Sequence, residues 1–140
     1  MTIFGTLGIA ASGITTNRRW MDALSDNIAN VSTVRSTDDP EGAFRERFVV
    51  AQAQAYGSGE GGVRVVEGRL GSAEGRLTYQ PEHPLAAKDG PLAGMVLLPD
   101  MDMSTQMTSL IMAQRGYQAN VSVVDRARES YNAAIQIGRA

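Results

Sequence analysis

The sequence predicts an α+β chain: long N- and C-terminal helices pairing as a coiled-coil-like core, with a small β-rich middle segment. Three observations carry that expectation. All five prolines lie between Pro40 and Pro99, and most glycines lie between Gly42 and Gly94, so helix breakers are concentrated in the middle. Both ends repeat mainly apolar residues at alternating intervals of four and three, the spacing of a heptad seam. Between them lie short runs bounded by turn residues, as in short strands. The expected boundaries are 1–33 for an N-terminal helical segment, 34–101 for the middle and 102–140 for a C-terminal helix. The last forms a discontinuous helical domain with 1–33.

The N-terminal seam runs through Ile3, Leu7, Ala10, Ile14, Asn17, Met21, Leu24, Ile28 and Val31. Asn30 is a plausible stop, because asparagine tolerates the left-handed conformation at a helix end. The C-terminal seam is longer: Met103, Met107, Leu110, Gln114, Tyr117, Val121, Val124, Arg128, Tyr131, Ile135 and Gly138. Asp102 is placed to cap its first turn through free backbone N–H groups. At about 1.5 Å per residue this helix would be roughly 50 Å long, too long to bury its stripe on a small domain. It needs a partner helix. Two matching seams imply that the termini pair with each other or with neighbouring subunits, which makes the seam residues the candidate subunit interface. Antiparallel packing with Val31 beside Met103 would bring Asn17 near Gln114 and Tyr117. Asn17 and Gln114 are then expected to hydrogen-bond inside the seam and set its register.

In the middle, Phe44 to Ala55, Val63 to Val66, Leu77 to Tyr79 and Met95 to Leu98 read as strands, with turns at Asp38–Gly42 and Asp89–Pro91. The net charge is -2, from 13 basic and 15 acidic residues, which leaves no electrostatic footprint for nucleic acid and no basic attraction to anionic lipid. The absence of cysteine excludes disulfides and thiolate chemistry. No apolar run reaches the roughly 18 residues of a membrane span. The apolar stretch Ile3 to Ile14 is followed, not preceded, by basic residues (Arg18 and Arg19), the wrong polarity for a secretory signal. Any export is therefore expected to proceed without a cleaved signal.

The chemical motifs are weak. Gly57-Ser58-Gly59-Glu60-Gly61-Gly62 has the letter pattern of a dinucleotide fingerprint, but that motif must open a helix, and Val63-Arg64-Val65-Val66 reads as strand. A flexible loop is the better reading. His83, between Glu82 and Pro84, reads as a turn residue without the second group that acid–base chemistry needs. Asp38, Asp39 and Glu41 lack the ligand spacing of a calcium loop. The sequons at Asn30 and Asn120 fall on or beside helices and are read as chance matches. No catalytic, cofactor-binding or metal-ligating residue is expected, and no cofactor.

Three ordered stretches resemble the flagellar basal-body rod and hook family. In Leu24-Ser25-Asp26-Asn27-Ile28-Ala29-Asn30-Val31-Ser32-Thr33, the residues Ser25, Asn27, Ala29 and Asn30 match its N-terminal signature. In Ala113-Gln114-Arg115-Gly116-Tyr117-Gln118-Ala119-Asn120, the residues Arg115, Tyr117, Ala119 and Asn120 match its C-terminal one. The middle stretches Tyr79 to Ala86 and Leu98 to Asp102 are similar to its short rod members. The chain departs from the family at Asp100, at Gly116 inside the final helix, and at Thr33-Val34-Arg35-Ser36. The resemblance implies a structural subunit of the rod, the drive shaft crossing the periplasm, made in the cytoplasm and exported by the flagellum's type III apparatus. Its implied partners are further copies of itself, other proximal and distal rod proteins, and that apparatus. Because an isolated subunit would expose both seams, its ends are expected to be poorly ordered until assembly. The alternatives are a sibling rod protein, a coiled-coil adaptor, or a periplasmic cell-wall enzyme acting through Glu82, His83 and Asp89.

Overall fold

The computed structural model describes residues 3–55 and 61–139, the side chains of Ile3 and Phe4 excepted. Helix α1 spans Ile3–Asn30 and helix α2 spans Met103–Ile137. Between them lie β1 (Arg47–Ala55), β2 (Gly61–Leu70), β3 (Arg76–Tyr79) and β4 (Met95–Leu98). Strand β1 pairs with β2, and β3 pairs antiparallel with β4, Arg76 opposite Leu98 and Tyr79 opposite Met95. This is the α+β arrangement read from the sequence, with β2 longer than expected. Most of the glycine-rich run at 57–62 lies outside the described residues, but Gly61 and Gly62 open a strand, not a helix.

The chain groups into two compact units. One comprises Ala23–Phe48 and Arg69–Ser109; the other comprises the described residues of Met1–Asp22, Val49–Gly68 and Leu110–Ala140.

In the first of these, the small core is built from Leu24, Ala43, Val96, Leu97 and Pro99, all buried. Arg35 extends the β3–β4 sheet by exchanging both backbone bonds with Leu97, at 2.9 and 3.0 Å. The core is tight enough to dictate Gly75. Its φ is 63°, and a Cβ there would collide with Ala43 and the Leu98 carbonyl, so only glycine fits. Arg35 also binds the carboxylates of Asp39 and Glu41 at 3.1 and 2.8 Å, which closes the acidic turn on itself. The backbone N–H of His83 donates to the Gln80 carbonyl and its Nδ1 accepts from the Leu85 N–H, the arrangement of a turn residue.

The helix ends show how the breakers act. Asp102 caps α2: its Oδ2 accepts from the backbone N–H and the hydroxyl of Thr105, both at 2.8 Å. The hydroxyl bond first and the N–H bond second hold its carboxyl below the usual carboxylate range. That stabilisation is present above the ordinary carboxylate pKa of about 3.9 and is lost as pH falls through the lower folded value. Asp102→Asn, which keeps an acceptor, should flatten part of the acid limb of the stability curve, while Asp102→Ala should fray the first turn at all pH values. Thermal melts followed by circular dichroism from pH 2 to 7 check both. At the other helix, Asn30 does end α1, but not in the left-handed conformation, since all positive-φ residues among those described are glycines. Instead its carbonyl accepts from the Thr33 N–H and its Oδ1 from the Thr33 hydroxyl, so the turn is closed by side-chain bonding.

Candidate assembly interface

Asn27 is completely buried in its unit. Its amide pairs with both backbone groups of Arg47, at the start of β1. Nδ2 donates to the Arg47 carbonyl at 3.0 Å, and Oδ1 accepts from the Arg47 N–H at 2.8 Å. The side chain thus stands in for a neighbouring strand. Nδ2 also donates to Gln106 Oε1 at 3.1 Å, and Gln106, itself buried, donates to Glu46 Oε1 at 2.6 Å. The network joins α1, the start of β1 and α2 with every member satisfied, the condition under which buried polar groups specify rather than destabilise a core. Arg47 is held further by Asp26 at 2.6 Å and lies over the Phe44 ring. The heptad pattern places Leu24 and Ile28 in the seam and passes over Asn27, the fully buried residue between them.

In the other unit α1 and α2 meet through small residues and amides. A methyl group placed on Gly13 would lie 2.7 Å from Asn120 Oδ1, and one on Gly116 would lie 2.8 Å from Asn17 Oδ1. The numbering runs in opposite senses, so the helices are antiparallel here. Ala10 and Ala113 are buried at the same face. The expected bond between Asn17 and Gln114 does not form. Asn17 Nδ2 donates instead to the Gly13 carbonyl at 2.9 Å, and Gln114 is exposed. The physical reason is that the helices approach through Gly116 and Ala113, positions a hydrophobicity pattern passes over. Gly116, which departs from the family pattern, is the contact point for Asn17. Ser12, on α1, accepts a bond from the Val63 N–H at 3.0 Å and so ties β2 to the helix.

Of the seam residues, Ala10 and Leu24 are buried, while Leu7, Ile14, Asn17, Met21, Ile28, Val31, Leu110, Tyr117, Val121 and Val124 are half-buried. Met107, Gln114, Arg128, Tyr131 and Ile135 are exposed, and the side chain of Ile3 lies outside the described residues. Of the motif residues, Asn30 and Asn120 are half-buried and Ser25, Ala29, Arg115 and Ala119 exposed. From Arg128 to Arg139 every residue is exposed. Tyr131 and Ile135 nevertheless continue, at helical spacing, the α2 face that Leu110, Ala113, Tyr117 and Val124 turn inward. Among the described residues, no helix is long and apolar enough to cross a membrane.

Comparison with known sequences agrees with this layout. Residues 7–35 match the family "Flagella basal body rod protein", and residues 93–137 match "Flagellar basal body rod FlgEFG protein C-terminal". The chain is 30% identical to the flagellar basal-body rod protein FlgC of Borreliella burgdorferi, with 98% of each chain covered. It belongs to the FlgC family of flagellar basal-body rod proteins. It is also 29% identical to the FlgC proteins of Escherichia coli O6:H1 and Bacillus subtilis, covering 99% of this chain and all of theirs in both cases. The two family matches fall on α1 and on β4 with α2, the elements that carry the Asn27 network and the glycine contacts. As a FlgC-family chain it is a structural rod subunit.

Proposed function

We propose that the chain polymerises through its terminal helices, residues 1–33 and 102–140, into the proximal rod of the flagellar basal body. Its work is mechanical: it transmits torque for motility and catalyses nothing. The partners are further copies of the chain and the other proximal and distal rod proteins. Delivery is by the flagellar type III export apparatus, without a cleaved signal, to the rod crossing the periplasm.

The observation that carries this reading is the exposed continuation of the α2 pairing face at Tyr131 and Ile135, 43% and 42% accessible. Burying two such side chains against a neighbour supplies on the order of 3 kcal/mol, and a helical assembly repeats that contact at every subunit. The double variant Tyr131→Asp/Ile135→Asp should keep the helix pairing upstream, so it folds and is secreted, yet fails to build a rod. Secretion assays and electron microscopy of basal bodies read the two steps separately. A normal rod in that strain would remove this face from the interface.

A further inference from the structure

Each terminal helix carries one Gly-x-x-x-Asn sequence at the helix crossing: Gly13 with Asn17 on α1, and Gly116 with Asn120 on α2. We propose that these four residues are a self-complementary pairing code that selects α1 as the partner of α2 and fixes one antiparallel register, a role independent of the rod-subunit reading.

The geometry is reciprocal. Asn17 Nδ2 donates to the Gly13 carbonyl at 2.9 Å, and Asn120 Nδ2 donates to the Gly116 carbonyl at 2.8 Å. Each amide is therefore held by its own helix, four residues back. In both, Oδ1 is the atom nearest the opposing glycine, at the position a Cβ would take. Only a residue without a Cβ accepts that approach, and its Cα hydrogens are the groups left to meet the oxygen. Close approach of helix backbones through glycine is a known route to strong pairing.

Direction and register follow from the same four residues. On both helices asparagine comes four residues after glycine. In a parallel pair, Gly13 opposite Asn120 would leave Asn17 beyond residue 120, away from Gly116, so the two contacts form together only when the helices run antiparallel. Sliding α2 by one heptad would put Asn17 against Ser109 or Val123, each carrying the Cβ that the contact excludes. Apolar heptads tolerate such slips, because one apolar knob resembles the next. The glycine–asparagine pairs do not.

Exchange of the pair tests the code. Gly116→Asn alone places two amides in one space and should lower the thermal midpoint by roughly 10 °C, the scale of an overpacked contact. Asn17→Gly added to it restores one glycine opposite one asparagine with no net change in helix-forming residues. The exchanged chain should recover most of the loss. Register is read separately from spin labels on Arg18→Cys and Arg115→Cys, exposed positions in a chain with no cysteine of its own. Dipolar spectroscopy should give one narrow distance in the parent and exchanged chains, and a broadened or displaced one in Gly116→Asn. If Gly116→Asn does not fold, recovery of folding in the exchanged chain still supports the code. A single variant that keeps the parent midpoint and distance, or an exchanged chain no better than the single variant, overturns it.

Discussion

Asn27→Ala is expected to be among the most destabilising single substitutions in the chain. It removes a fully buried amide that serves the Arg47 N–H, the Arg47 carbonyl and Gln106 Oε1 at once. Each net bond contributes about 1 kcal/mol, and Gln106 Oε1, in a buried residue, loses its Asn27 donor, so the loss is about 3–5 kcal/mol. For a domain of this size that is a fall in midpoint on the order of 10–15 °C. Asn27→Asp should do no better, because a carboxylate keeps only the bond from the Arg47 N–H and turns oxygen toward two acceptors. Gln106→Ala should cost less than Asn27→Ala, since the two Arg47 bonds survive. Denaturant unfolding of the three variants gives the order directly. Equal losses for Asn27→Ala and Gln106→Ala would mean that pairing with Arg47 contributes little.

Ala113→Glu and Gln114→Glu, one residue apart, should have opposite outcomes. Ala113 is wholly buried, whereas Gln114 is exposed. An unpaired carboxylate at 113 should cost about 3–5 kcal/mol and prevent the helices from pairing. The same charge at 114 should change stability by no more than about 0.5 kcal/mol. In cells, Ala113→Glu should be secreted but build no rod, and Gln114→Glu should support swimming. The heptad pattern read from sequence puts 114, not 113, in the seam. Rod formation by Ala113→Glu with failure by Gln114→Glu would restore that reading.

What the sequence showed and what it hid have separate physical causes. The helix ends were legible because they depend on local chemistry: Asp102 has a carboxylate that caps, and Asn30 has an amide that closes a turn. Strand β4 was legible as a short apolar run between Gly94 and Pro99, and its bounds, Met95–Leu98, agree with the reading. The approximate level of Asn17 with residues 114–117 also followed, once antiparallel packing with Val31 beside Met103 was assumed. The part played by Ala113 and Gly116 in the α2 face did not. Seams are found by looking for large apolar residues, but these helices approach through Gly13, Gly116, Ala10 and Ala113, and are locked by amides. The spacing of glycine and asparagine by four, repeated on both helices, was the available signal. Asn27 was noticed through resemblance alone, because nothing in one sequence shows that its amide is answered by Arg47, 20 residues away, and by Gln106, 79 away.

The most direct measurement is a density map of the assembled rod containing this chain, at a resolution that traces side chains. The prediction is that each copy contributes both terminal helices to the rod, antiparallel, with Gly13 against Asn120 and Gly116 against Asn17. Tyr131 and Ile135 should then be buried on a neighbouring subunit. A rod in which α1 and α2 of each copy lie apart, or in which Tyr131 and Ile135 face solvent, would contradict assembly through these helices.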